Sequence, residues 1–236
     1  MTRRFLLCAE DVLAATLARD LCDRVVRERA RAEWLRALWS HDLCATQRAW
    51  TGLRPDMSWA DRGSVEREAT ARGIHAHVRV RETGQVRAAH GHAGESFRAV
   101  RVAAVLDPRP ELVVIAGDTD GDEDTDATRA AGVALADEAD VAAVVASLHR
   151  EAEAWVVAGF VPENTAEQRR LRAVERALGF DPTEAPERLM SDLTGDLRDA
   201  KRVARELLDD DPTPRNARAR ACWLDTPLDA LLRRGA

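Results

Sequence analysis

Three acidic residues in this chain fall where apolar runs stop. Residues 4–9 read Arg-Phe-Leu-Leu-Cys-Ala and lead into Glu10. Residues 112–117 read Leu-Val-Val-Ile-Ala-Gly and lead into Asp118, with Asp120 two positions on. Carboxylates gathered in this way hold divalent cations, and ligands that are all oxygen select Mg²⁺ or Mn²⁺ over zinc. Without a cation they raise one another's pKa, so metal binding is the natural resolution. If the chain stays extended past Ile115, Asp118 and Asp120 point to one side about 7 Å apart, and Glu10 approaches from a neighbouring strand end. The chemistry that such a site serves is work on phosphate.

Two other readings compete for the acidic run. Residues 118–126 hold six acids and no base, and on the surface they resemble a calcium loop. Setting Gly121 at the sixth position of an EF-hand puts Ala116 at the first and Ala127 at the twelfth, so both end ligands are missing. A strand, not a helix, also precedes the run. A solvated acidic turn accounts for residues 122–126 but leaves unexplained the acids at the tip of a buried strand.

The elements that must position these residues follow from periodicity. Runs as apolar as 5–9 and 111–117 read as strands buried on both faces, the mark of a parallel sheet under helices. In open α/β sheets the carboxyl ends of the strands form the ligand edge. Asp11 is placed as an N-cap, and Leu13, Leu17, Leu21 and Val25 predict an amphipathic helix to about residue 31. A second helix is expected over 32–50, a loop over 51–63, a short helix over 65–72 and a strand over 74–80. A loop over 84–94 and a helix over 95–106 lead to the acid-tipped strand 111–117. A helix near 126–138, a strand over 141–146 and a helix over 149–159 come next, the last with Trp155 and Val156 facing inward. The remainder is helical and broken by prolines, at about 164–178, 186–193, 196–209 and 214–221. Strands alternating with helices predict an α/β fold with a mostly parallel, doubly wound sheet, covered by a helical C-terminal third.

Composition narrows the function classes. The chain has 236 residues, 45% of them apolar, and a net charge of −6. That charge argues against coating nucleic acid by bulk electrostatics, although arginines concentrate at 24–36 and 169–176. The apolar run after the N-terminus is too short for a secretory signal or a membrane span. Cys8, Cys22, Cys44 and Cys222 are scattered, which argues against structural zinc and disulfides and makes a reducing cytoplasm the expected location. There is no tyrosine, hence no phosphotyrosyl intermediate formed in cis. Lys201 is the one lysine among 35 basic residues, so it is either retained for chemistry or a chance survivor of an arginine-rich composition.

A strand ending in glutamate before a helix, then a later strand ending in Asp-x-Asp, resembles the TOPRIM domain of topoisomerases, bacterial primases, OLD-type nucleases and some defence proteins. The matching positions are Glu10, Asp118 and Asp120. Residues 144–155, with Glu153 and Trp155, look like the fourth strand and following helix of RloB-like TOPRIM proteins, and Lys201 loosely matches a late-helix lysine of that group. The resemblance covers residues 3–160 well and the tail weakly. It implies a TOPRIM-like domain over 1–160 with a helical insertion at about 33–73, and a helical extension over 161–236 packed on it.

What the resemblance implies is phosphodiester chemistry dependent on Mg²⁺ or Mn²⁺. Glu10 would act as general acid/base or metal ligand, Asp118 and Asp120 would hold metal, and Lys201 would steady charge on the phosphate. Asp122, His149 and Glu153 are supporting positions. The absence of tyrosine turns the expectation from strand passage to hydrolysis, most simply of DNA, in a prokaryotic defence setting. No Gly-x-x-x-x-Gly-Lys-Ser/Thr loop is present, so an ATPase activity would come from a partner subunit. The alternative is a catalytically silent TOPRIM-like subunit that binds a partner or nucleic acid. A primase-like polymerase ranks below both, since no zinc-binding module accompanies the acids.

Outside the acids, His75 and His77 alternate on one strand, and His90 and His92 flank Gly91. They are candidates for a transition metal or for solvent-facing positions. Trp34, Trp39, Trp50 and Trp59 are candidates to anchor the insertion or a partner. Arg169, Arg170, Arg172 and Arg176 form either a phosphate-contacting helix face or a solvated one.

Overall fold

The computed structural model describes residues 3–29, 48–54, 56–79, 86–88, 90–120, 122, 124–136, 139–148, 150–158, 160, 162, 164–178, 185–195 and 203. Its centre is strand β6 (Leu112–Asp118), buried at all seven positions. A strand with no solvent face must have a neighbour on each edge and a layer on each side. Here β6 lies between β1 (Arg3–Ala9) and β7 (Ala142–Leu148), parallel to both. On the far edge of β1, β2 (Arg48–Thr51) pairs with its first half and β3 (Ala60–Asp61) with its last two residues, again in parallel. The order is β2-β1-β6-β7, so all carboxyl ends share one edge.

Alternation along β1 divides the core. Phe5, Leu7 and Ala9 face α1 (Val12–Arg29), α5 (Ala152–Ala158), α6 (Thr165–Leu178) and α7 (Pro186–Thr194), through Leu13, Leu17, Trp155, Val174 and Leu189. Leu6 and Cys8 face the other layer, α2 (Arg62–Ala71), α3 (Gly91–Ala104) and the end of α4 (Asp124–Leu135), through Val65, Ala99 and Val100. Each fully buried leucine in these layers contributes about 1.5–3 kcal/mol relative to exposure. The chain is therefore α/β and Rossmann-like, with a parallel sheet flanked by helices. Met190, Leu193 and Val203 join the same core as β1, so the described part of the C-terminal region packs directly on the sheet.

Local chemistry sets the helix ends. Asp11 Oδ1 accepts the backbone N–H of Ala14 over 2.9 Å, the N-cap expected for α1. Asn164 accepts from the Glu167 N–H and donates back to its carboxylate, a reciprocal pair of the capping-box kind at the start of α6. Helix α7 begins on Pro186 and stops at Gly195, whose φ of 72° ends the helix without a Cβ clash.

Three expectations are corrected. Residues 48–50, read as the end of a helix, and Thr51, read as the start of a loop, form β2 and supply the outer partner of β1; residues 30–47 lie outside the described residues. The expected loop over 51–63 contains β3 and the first turn of α2. Residues 74–76 of the strand expected over 74–80 are not strand, and β4 (His77–Arg79) pairs with β5 (Val86–Ala88) in a separate antiparallel ribbon, outside the parallel sheet. The physical reason is length: a four-residue strand holding Trp50 between helical stretches carries no period-2 signal of its own, and only pairing with β1 reveals it. The expected helices at 196–209 and 214–221 fall outside the described residues except Val203. Among the described residues, no helix is long and apolar enough to cross a membrane.

Candidate functional site

The carboxyl edge gathers side chains from four strands. Glu10 is the first residue past β1; its N–H still donates to the Ala116 carbonyl over 3.2 Å, which extends the β1–β6 ladder by one step. That ladder fixes its height, and its carboxylate Oε2 accepts the Asp118 N–H over 3.3 Å. Glu10 and Asp118 are thus brought together, 108 residues apart in sequence, by strand register alone.

Asp118 ends β6 with 7% exposure. Its Oδ1 accepts the Ala152 N–H over 2.9 Å, so it caps α5 from the neighbouring strand and sits at the positive end of that helix. Beyond it the chain turns. The N–H groups of Thr119 and Asp120 both donate to the Arg150 carbonyl, and Asp120 has a left-handed φ of 50°. The extended geometry expected past Ile115 therefore stops at Asp118, and Asp120 reaches solvent from a tight turn instead of pointing along the strand. Among the described residues, no three His, Cys, Asp or Glu side chains lie close enough together to hold a metal ion.

The remaining acids have a local role. Asp122 accepts the Asp124 N–H over 2.9 Å, and its carbonyl takes the Thr125 N–H. Asp124 and Asp126 occupy the first turn of α4, where negative charge complements the helix dipole. The segment that an EF-hand would use as a loop is part strand and part helix, so the calcium-loop register is not adopted. Glu153 lies fully buried in the first turn of α5, inside the protein and not on the open edge. Lys201 and His149 lie outside the described residues.

Two residues on this edge were not singled out from the sequence. Arg129 of α4 is 4% exposed. Its guanidinium donates to the carbonyls of Gly117 (2.8 Å) and Asp118 (2.9 Å) and reaches Ser147 Oγ at 3.3 Å. Burial pulls its pKa below the ordinary value, and the carboxylates of Glu10, Glu95, Asp118 and Asp126 oppose that pull. Thr125, Arg129 and Gly132 form the inward stripe of α4 at helical spacing, but none of them is a large apolar residue that would mark that face in the sequence. The second is Asp61, at the end of β3 and level with Ala9, which caps α2 through the Ser64 N–H over 2.8 Å.

The other candidates disperse. His75 and His90 are exposed, and His92 is half-buried against Glu95. Trp50 and Trp59 pack on the core, with Trp50 edge-on to Phe5 at a centroid distance of 5.4 Å; Trp34 and Trp39 lie outside the described residues. Arg170 donates to the Thr194 carbonyl and ties α6 to α7, while Arg169, Arg172 and Arg176 are exposed.

Chemically, the edge offers all-oxygen donors in Glu10, Asp118 and Asp120, beside one buried guanidinium. The donor types fit a hard divalent cation. Compared with family models, curated proteins and solved structures, the chain matches none.

Proposed function

We propose that this chain is a TOPRIM-type, metal-dependent phosphodiester hydrolase acting on DNA, the effector of a prokaryotic defence system that works with an ATPase subunit. The observation that carries the reading is the Glu10–Asp118 juxtaposition at the carboxyl edge of a parallel sheet, where α/β folds bind ligands. Glu10, Asp118 and Asp120 would hold Mg²⁺ or Mn²⁺ after the Asp120 turn moves its carboxylate to the other two, from which it now stands apart. When bound, such an ion polarises the phosphate and acidifies a water. Glu10, open to solvent, takes the proton from the attacking water. Arg129 holds the Gly117–Asp118 backbone that carries the Asp118 carboxylate.

The test is plasmid nicking with Mg²⁺ or Mn²⁺, comparing wild type with Glu10→Gln and Asp120→Asn, both at exposed positions. Loss of nicking of at least a hundredfold in both variants is expected; undiminished nicking overturns the site. A second reading, a catalytically silent subunit that binds a partner or nucleic acid, is favoured by one observation: Asp118 already spends one oxygen on α5. Titration with Mn²⁺ separates the two, since the silent subunit takes up the ion weakly or not at all.

A further inference from the structure

Beside Glu10, on the face of the sheet under α2 and α3, lies a pocket floored by Cys8, Val65, Ala99 and Ile115. Its inner space is about 50 Å³, rising to about 550 Å³ when the open mouth is included. The inner space suits on the order of four water-sized groups, the edge of a flat ring more than a whole small molecule.

The charges around the pocket are already engaged. Arg62 Nη2 lies 2.5 Å from Glu95 Oε1, Arg98 reaches Glu66 at 3.9 Å, and Arg129 serves two backbone carbonyls. The carboxylates of Glu10 and Glu95, both lining the space, repel an anion. What remains is unused hydrogen-bonding capacity, Glu95 Oε1 included, which has an ion-pair partner in Arg62 but no hydrogen bond. Ser96 is completely buried and its Oγ has no hydrogen-bond partner; His92 Nδ1 is likewise without one, at 3.6 Å from Glu95 Oε2. A buried hydroxyl left unsatisfied costs about 1–3 kcal/mol, which an occupant with matching groups recovers.

We propose that this pocket takes the edge of a nucleobase next to the phosphate handled at Glu10, a reading that rests on the proposed action on nucleic acid. A base offers an apolar face to the floor and donors and acceptors on its edge for Ser96 and His92. Glu95 only accepts, so bases with an exocyclic amine are preferred over thymine.

The experiment is fluorescence anisotropy in EDTA with labelled oligo(dA), oligo(dC), oligo(dT) and an abasic strand of equal length. Wild type is expected to bind oligo(dA) and oligo(dC) about tenfold more tightly than the abasic strand, the order of one stacked base, with oligo(dT) between. Ser96→Ala and His92→Ala are expected to reduce that preference severalfold while circular dichroism stays unchanged. Should a variant misfold, the wild-type comparison alone decides. Equal affinity for abasic and base-bearing strands overturns the pocket while leaving hydrolysis intact. Base-selective binding without nicking sinks hydrolysis and leaves the pocket. No binding to any strand in EDTA also overturns the pocket, and the nicking assay with Mg²⁺ or Mn²⁺ decides hydrolysis separately.

Discussion

The guanidinium of Arg129 occupies the space that a side chain at Gly117 would fill. A Cβ built at Gly117 meets Arg129 Nη2 at 2.7 Å and Glu10 Oε2 at 3.1 Å. Contact with the tip of a long side chain is cheap when that tip can swing away, but this one is buried and held by two carbonyls and a hydroxyl. Gly117→Ala is therefore expected to destabilise the protein by about 1–3 kcal/mol, the usual cost of overpacking. Urea unfolding measures it, and a midpoint equal to wild type would show that Arg129 is not pinned.

Removing the guanidinium gives the complementary result. Arg129→Met leaves two inward carbonyls without their donor and costs about 2–4 kcal/mol. Arg129→Lys does not restore it, since one ammonium on a flexible stem cannot span both carbonyls and Ser147 as a planar fork does. In the Met background the clash at Gly117 is relieved. The double variant is thus expected to be more stable than the sum of the two single effects predicts, by about 1 kcal/mol. Strict additivity would show that the two positions do not meet.

The elements legible in the sequence were those with a strong pattern of their own. The β6 run and the Asp11 cap needed no partner to be recognised, and Glu10 and Asp118 were read as one edge because both runs are fully apolar. Strand β2 was not legible, since four residues show no period and its place depends on Arg3 to Leu6 of β1. The same limit applies to Asp120. Extension past Ile115 predicts Asp118 and Asp120 on one side, but the chain is bent by two N–H groups converging on the Arg150 carbonyl, a residue 30 positions away from Asp120. Arg129 was hidden differently: a charged residue in a helix reads as solvated unless the acceptors that bury it are known.

Helix packing at Gly132 sets up a contest between two effects. A Cβ there stands 2.2 Å from the Ala93 carbonyl oxygen, so α3 and α4 touch backbone to backbone. Replacing glycine by alanine in a helix gains about 1 kcal/mol of propensity. Overpacking against backbone, which cannot rotate away, costs about 3 kcal/mol or somewhat more. Gly132→Ala is expected to lose about 2 kcal/mol net in urea unfolding, and a stabilised variant would mean that the helices separate freely.

Asp61 links stability to pH. Hydrogen bonds from the Ser64 hydroxyl and then from its N–H hold the Asp61 carboxyl below its ordinary value. A pKa depressed by folding contributes stability above the unfolded value, about 3.9, and loses it as pH falls through the folded one. Asp61→Ala is expected to cost about 1 kcal/mol at pH 7, the usual worth of an N-cap. The gap between variant and wild type is expected to narrow below about pH 4. A gap unchanged at pH 3 would assign the loss to packing instead.

Cys8 lies on the pocket floor and tests how closed that floor is. Burial alone pushes its thiol up to about 12. The thiolate is the reactive form, and an ordinary thiol titrates near 8.5. At pH 8 the thiolate fraction of Cys8 is therefore lower than that of a free cysteine by a factor on the order of a thousand. Iodoacetamide at pH 8, followed by peptide mapping, is expected to leave Cys8 unmodified in the native protein and alkylate it fully in urea. Alkylation within minutes under native conditions would mean that the floor opens, and an opening floor could not hold a base edge against Ser96.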